Sequence, residues 1–229
     1  MPGILYAIPT PLGGAAADAL PAPALAIVRT LRDFAVENAK SARAFLKQVD
    51  MPCSIQDLSI STLDKDISPQ IKALQEGRSV GLLSEAGCPA IADPGAGLVE
   101  AAHVAGMQVV PLIGPSSIVL ALMASGLEGQ RFAFSGYLPR EAEERKKKIR
   151  ELEARSHRER ETQIFIETPY RNDVLLDSLL ENCKPATRLS LAIDLTRSTE
   201  SVLTRPVSEW RKAKTSIGKR PTVFLLFSG

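Results

Sequence analysis

Ser79-Val80-Gly81-Leu82-Leu83-Ser84-Glu85-Ala86-Gly87-Cys88-Pro89-Ala90-Ile91-Ala92-Asp93-Pro94-Gly95 is the stretch that decides the fold. Residues 79–83 are a continuous apolar run, the pattern of a parallel-sheet strand buried on both faces. The loop behind that run carries Gly and Pro. It ends at Asp93-Pro94, which is expected to open a helix through His103, closed by Gly106. Residues 107–112 form the next buried strand. Strand, helix and strand in this order predict an α/β domain with a mainly parallel sheet.

Upstream, residues 4–8 read as a short apolar strand ending in Pro9-Thr10-Pro11-Leu12-Gly13-Gly14. The Ala- and Pro-rich stretch to Pro23 is expected to be mobile. Residues 25–31 read as a helix, 34–36 as a buried strand and 41–48 as a helix. Ser68 is expected to cap a helix with Pro69 at its first position, stopping at Gly77. Downstream, the first domain ends at Ile113-Gly114-Pro115, and residues 116–125 read as a connecting helix. A second α/β set follows, with strands at 132–135, 163–166, 189–193, 200–204 and 222–227. Its helices fall at 141–155, 171–181 and 207–212. No internal repeat is visible. The expected organisation is two α/β domains, 1–115 and 116–229, with a ligand cleft between them.

Composition narrows the function. The 229 residues suffice for two modest domains, and with only 5% aromatics Leu, Ile, Val and Ala must fill the core. A net charge of +2 is too small to point to nucleic acid by itself. Cys53, Cys88 and Cys183 are few, odd in number and widely spaced, which argues against a disulfide framework or a zinc site and fits a reducing cytoplasm. The start, Met1-Pro2-Gly3-Ile4-Leu5-Tyr6, lacks the basic and apolar regions of a signal peptide. Residues 104–126 are apolar but are broken by Gln108, Pro111, Gly114, Pro115, Ser116 and Ser117, so no membrane span is expected. No G-x-G-x-x-G, P-loop, G-x-S-x-G, H-E-x-x-H or C-x-x-C occurs. The two histidines, His103 and His157, read as structural or solvent-facing, which disfavours metal catalysis and a Ser-His-Asp hydrolase.

Three loops, 9–14, 84–95 and 113–117, follow predicted parallel strands and are rich in Gly, Pro and Ser. Ligands in open parallel sheets bind beyond the carboxyl ends of the strands. Any one of these loops alone reads as a plain turn. Three at one edge of one sheet point to a ligand site.

Five segments in order carry a resemblance. They are Pro11-Leu12-Gly13, the loop from Leu83 to Gly95, Val110-Pro111-Leu112-Ile113-Gly114-Pro115-Ser116-Ser117, Phe134-Ser135-Gly136-Tyr137-Leu138-Pro139-Arg140, and Phe165-Ile166-Glu167-Thr168-Pro169-Tyr170-Arg171. Together they resemble the tetrapyrrole methylase superfamily, and within it the branch of ribosomal RNA small subunit ribose (cytidine 2′-O) methyltransferases. The resemblance spans nearly the whole chain. It implies a two-domain α/β homodimer using S-adenosylmethionine, with S-adenosylhomocysteine as product, and RNA of the small ribosomal subunit as substrate. It also implies a donor site built from Pro11, Ser84, the backbone of Ala86, Gly87 and Cys88, Ile91, Ser116, Ser117, Glu167, Ala192, Leu195, Pro221 and Thr222. Such a donor has no phosphate, so backbone polar groups and an apolar slot suit it better than a phosphate cradle.

A ribose hydroxyl is a weak nucleophile, so a base or a cation beside it would help. The candidates are Glu37, Lys40, Arg43, Glu85 and Arg171, each of which alone reads as ordinary surface charge. The segment 140–160, with Arg145-Lys146-Lys147-Lys148, Arg155, Arg158 and Arg160, fits two readings. One is a phosphate-binding face, and the other is a solvated helix with i,i+4 pairs such as Glu144–Lys148. Two further readings of function stay open. One is a small-molecule, tetrapyrrole-like methylase. The other is a catalytically silent donor-binding protein, suggested by Glu37-Asn38-Ala39-Lys40-Ser41-Ala42-Arg43 standing where the branch carries an acidic Asp-Thr-Arg type segment.

Overall fold

A computed structural model of the protein describes residues 2–63 and 66–229; Met1, Asp64 and Lys65 lie outside them. The chain divides into two compact units, Met1–Ser116 and Ser117–Gly229.

The first unit runs β1 (Ile4–Ile8), α1 (Ala16–Ala19), α2 (Ala22–Thr30), β2 (Asp33–Val36), α3 (Ala39–Gln48), a 3₁₀ turn (Ile55–Asp57), β3 (Ser59–Thr62), α4 (Ser68–Gln75), β4 (Val80–Leu83), α5 (Ala96–Val104) and β5 (Gln108–Pro111). Its sheet has the order β3-β2-β4-β1-β5, with every neighbouring pair parallel. All carboxyl ends therefore share one edge. Alternate residues of each strand face opposite layers, as the pleat requires. Ile8, Phe34, Val36 and Leu83 pack with Ala16, Leu20, Leu25, Val28, Phe45 and Leu46 on one face. Leu5, Ala35, Val80 and Leu82 pack with Ala73, Leu74, Leu98 and Ala102 on the other. The central strand β4 is buried along its whole length, which explains its unbroken apolar run. Gly81 is the exception in that run because a Cβ there would sit 2.7 Å from Ile8 Cδ1 and 2.8 Å from Phe34 Cδ1.

The structure departs from the sequence expectations at four places in this unit. The stretch before Pro23, read as mobile, holds α1 and the start of α2. Ala16 and Leu20 are buried there, and the Ala16 amide donates to Gln48 Oε1 at 3.1 Å. Alanine favours helix strongly enough to outweigh the nearby prolines, and Pro23 falls in the first turn, where it is tolerated. Strand β3 has no counterpart in the sequence reading. Its Ser-Ile-Ser-Thr edge position buries no face, so it carries no hydrophobic pattern. Ser68 is the first helical residue of α4 rather than its cap, and its amide bonds instead to Asp66 Oδ1 at 2.9 Å. Asp93-Pro94 does not open α5. The helix begins at Ala96 behind Gly95, and Ala90, Ala92 and Gly95 all hold positive φ in the preceding loop.

The second unit runs α6 (Ser117–Ser125), β6 (Phe132–Tyr137), α7 (Ala142–Glu159), β7 (Thr162–Ile166), a 3₁₀ turn (Pro169–Arg171), α8 (Asn172–Asn182), β8 (Arg188–Ile193), β9 (Ser201–Pro206), α9 (Val207–Ala213) and β10 (Thr222–Phe227). The sheet order is β6-β7-β10-β8-β9. Only β6 and β7 pair in parallel; the β7–β10, β10–β8 and β8–β9 pairs are antiparallel. Phe165, Leu189, Leu191, Phe224 and Leu226 face Ile149 and Leu152 of α7, Leu175 and Leu179 of α8 and Trp210 of α9. Helix α6 also packs on β8, β9 and β10. The register places Ile166 opposite Val223, and Thr222 opposite Ile193. The end of β7, the end of β8 and the start of β10 therefore share one edge.

Candidate functional site

Within the first unit, the loops after β1, β4 and β5 are tied to one another at the carboxyl edge. Thr10 and Gly87 exchange backbone hydrogen bonds, Thr10 N to Gly87 O at 2.8 Å and Gly87 N to Thr10 O at 3.0 Å. Buried Thr10 also donates from Oγ1 to Ser84 O at 3.4 Å, and buried Ser84 donates from Oγ to Gly87 O at 3.5 Å. The Cys88 thiol donates to Pro115 O at 3.4 Å and is hydrogen-bonded to Ser116. Gly114 lies so close against Pro9 that any side chain would overlap the proline ring. Each loop thus braces the other two.

Gly87 closes this arrangement. Its φ is +79°, a region that L side chains avoid, and a Cβ would meet Leu12 Cδ2 at 3.3 Å. Its amide and carbonyl are both engaged by Thr10, and the Cys88 carbonyl accepts from Ile91 N at 3.3 Å. Gly87 therefore shapes the wall, and the backbone of Ala86 is left as the exposed polar edge beside it. Pro11 is partly exposed, and the Ile91 side chain projects into solvent with half its surface exposed. Ala90 and Ala92 hold φ of +66° and +65°. Non-glycine residues in that region cost on the order of 1 kcal/mol each and cluster at ligand sites.

Carboxylates collect beside this ring. Glu37 follows β2, and its amide extends the ladder to Leu83 O at 3.0 Å. Glu37 Oε2 accepts from Glu85 N at 3.0 Å, and Ser41 Oγ donates to Glu85 Oε1 at 3.3 Å. Asn38 caps α3, its Oδ1 accepting from Lys40 N at 2.8 Å and Ser41 N at 3.4 Å. Asp93 is the third acid. Burial pushes its carboxyl up to about 6, the Glu37 and Glu85 charges push the same way, and a hydrogen bond with Ser84 opposes them. The sequence reading used Asp93 only as a helix signal. Its place on the same loop as Glu85 was the clue to its electrostatic role. Burial and the Asp93 charge likewise raise the Cys88 thiol, with Ser116 opposing, so Cys88 is no activated nucleophile.

In the second unit, Glu167, Ala192, Leu195, Pro221 and Thr222 gather at the edge fixed by the β7–β10–β8 register. All but Pro221 are buried. Asp194 N donates to Pro221 O at 2.9 Å, tying two of these strand ends. Glu167 Oε1 accepts from Thr168 N at 2.8 Å. Its Oε2 is buried, lies 3.2 Å from Arg171 Nη2 and makes no aligned hydrogen bond. Asn172 Oδ1, at the start of α8, is also buried without a hydrogen-bond partner among the described residues, while its Nδ2 donates to Gly218 O and Arg220 O. Ser117 begins α6.

The acid, base and cation candidates are divided between the two units. Glu37 and Glu85 are in contact. Lys40 is exposed in the first turn of α3, and Arg43 lies further along that helix in a groove with Lys47. Arg171 belongs to the second unit, paired with Glu167.

No family model matches the chain. Similar curated proteins include the ribosomal RNA small subunit methyltransferase I of Vibrio cholerae, 32% identical over 206 residues, spanning 90% of this chain and 69% of that one. That of Escherichia coli O157:H7 is 31% identical over 90% of this chain and 70% of its own. That of Halalkalibacterium halodurans is 33% identical over 95% and 74%. Among solved structures, the methyltransferase CobJ superposes with a TM-score of 0.65 at 18% identity, covering 100% of this chain and 95% of that one. Uroporphyrin-III-C-methyltransferase from Thermus thermophilus gives 0.59 at 20% identity, covering 98% and 94%. At those identities the solved structures speak for the fold, and the curated relatives speak for the family. The chain is a methyltransferase with the two-sheet α/β fold of the tetrapyrrole methylases, and it belongs to the ribosomal RNA small subunit methyltransferase I family.

Proposed function

We propose that the protein transfers a methyl group from S-adenosylmethionine to a ribose 2′-hydroxyl of small-subunit ribosomal RNA. The observation that carries this reading is the braced ring of loops at the carboxyl edge of a parallel sheet, in a chain whose relatives are named for that RNA. The residues fit the donor. Gly87, at positive φ and close against Leu12, lets the loop turn tightly, and exposed Ala86 offers backbone to a polar tail. Ser84, Cys88 and Ser116 are fixed through the ring's hydrogen bonds, with Pro11 and Ile91 on its apolar side. In the second unit, the buried, incompletely bonded Glu167 and Asn172 are polar atoms suited to a ligand, beside Ala192, Leu195, Pro221 and Thr222; Ser117 joins them by family resemblance.

When bound, the donor supplies a sulfonium methyl. Attack by the ribose oxygen on that methyl would release the sulfur as the neutral thioether of S-adenosylhomocysteine. The protein's part is alignment and proton removal. The hydroxyl proton passes to the carboxylate group of Glu37, Glu85 and Asp93, where burial pushes the Asp93 carboxyl up to about 6, making it a better proton acceptor than an ordinary carboxylate while leaving it mostly ionised at neutral pH. A cytoplasmic homodimer belongs to the same reading, supported by the family resemblance. Among the described residues, no helix is long and apolar enough to cross a membrane. Incubating the protein with methyl-labelled donor and small ribosomal subunits tests the assignment. The expected result is label in RNA. Label confined to small molecules would transfer the assignment to a small-molecule methylase, and donor binding without turnover would make the protein a silent binder.

A further inference from the structure

We propose that the groove beside α3 in the first unit holds the phosphate backbone of the acceptor RNA, through Lys40, Arg43 and Lys47. This inference rests on the RNA reading above and gives that RNA a docking surface. Spacings of three and four residues put the three cations on one face of the helix. All three are exposed, and among the described residues none forms an ion pair. Among the described residues, the Arg43 guanidinium makes one hydrogen bond, a long contact from Nη1 to Ala39 O at 3.5 Å.

Arg43 and Lys47 line an open groove of about 620 Å³ with Ser54, Gln56, Ile55 and Ile60, and no carboxylate lines it. Its hydrogen-bonding groups are therefore cationic or neutral, which suits phosphate oxygens. The ridge from Lys40 to Lys47 is on the order of 10 Å long at 1.5 Å per residue. Helix α3 starts just after Glu37, whose side chain holds Glu85 at the carboxyl edge, so the ridge leads away from the carboxylate group.

A second basic groove, at α7, is neutralised. Arg131, Arg155 and Arg158 line a space of about 500 Å³ at α7. Arg131 and Arg158 pair with Glu159, and Arg155 pairs with Glu161. Of Arg145-Lys146-Lys147-Lys148, Arg145 is buried, donating to Ser178 Oγ at 2.9 Å and Arg140 O at 2.6 Å. Lys146 pairs with Glu143, and Lys148 with Glu151 rather than the expected Glu144. The cations lining the α7 groove are thus neutralised, whereas those lining the α3 groove are not; Lys147 and Arg150, elsewhere on α7, are exposed and outside these ion pairs.

Phosphate contacts set affinity and salt dependence without reading sequence. The test measures binding of protein-free small-subunit ribosomal RNA by the full chain across a salt series. It compares wild type, R43Q/K47Q and, as a control of equal charge, K147Q/R150Q on α7. The expected result is a salt slope lowered by about 2 in R43Q/K47Q, roughly one per cation removed, with weaker binding throughout. Donor affinity, read by calorimetry, should stay unchanged, and K147Q/R150Q should bind like wild type. A slope in R43Q/K47Q equal to wild type overturns the groove and leaves the RNA reading intact. Equal losses in both double variants overturn it too, because bulk charge would then explain binding. If wild type binds donor but no RNA, the RNA reading fails, and the groove assignment falls with it.

Discussion

Gly87 and Asp93 carry the sharpest residue-scale consequences. At φ +79°, Gly87→Ala should cost about 1–2 kcal/mol of stability from backbone strain alone. Gly87→Arg adds a long chain where Leu12 and Pro115 already limit the space. We expect it to weaken S-adenosylmethionine binding by about 100-fold or more, equivalent to about 2.7 kcal/mol. Unchanged affinity in a calorimetric titration would remove Gly87 from the donor wall. For Asp93 the folded carboxyl titrates near 6 against an ordinary 3.8. The folded state therefore holds the proton more tightly than the unfolded state, and stability falls as pH rises from about 4 through 6. Asp93→Asn should abolish this fall and melt higher than wild type at pH 7.5. Melting curves at pH 4.5 and 7.5 check it, and identical pH profiles in the two proteins would contradict it.

At the scale of elements, α7 shows why a run of basic residues is a poor guide to a binding face. Arg145 is buried under three hydrogen bonds to Ser178, Pro139 and Arg140. Arg145→Ala should cost about 2–3 kcal/mol, since it removes a buried side chain together with its three part-buried hydrogen bonds. Lys147→Gln, on the exposed side of the same helix, should change stability by less than about 0.5 kcal/mol. Chemical denaturation separates the two, and equal effects would contradict the buried role of Arg145. Elements with a hydrophobic period were legible from sequence. β1, β4 and β10 fell within a residue of the structure because β4 and β10 are buried along their whole length and β1 is buried or half-buried throughout. β3 was not, because an edge strand of Ser-Ile-Ser-Thr shows no period. α1 was hidden by its prolines, although Ala16 and Leu20 anchor it. The start of α5 was misplaced because Asp93-Pro94 looks like a cap, while the chain spends Ala90, Ala92 and Gly95 on a left-handed loop first.

For the molecule as a whole, the two units differ in a way that the strand order alone did not reveal. The first is a parallel sheet, so the edge that gathers its loops followed from sequence: each loop after an apolar run had to emerge on the same side. The second is mixed, and the shared edge of Glu167, Ala192 and Thr222 appears only through antiparallel registers between residues distant in sequence. Side-chain pairing was likewise out of reach: nothing in the spacing distinguishes free Lys47 from ion-paired Lys148. The central claim is that the braced loops around Gly87 present a methyl donor to RNA ribose. The most direct measurement is mass spectrometry of nucleosides from small-subunit RNA after reaction with a deuteromethyl-labelled donor, using wild type and Gly87→Arg. The account predicts a ribose-labelled 2′-O-methyl nucleoside with wild type and none with Gly87→Arg. Label on a base, or undiminished ribose label with Gly87→Arg, would contradict it.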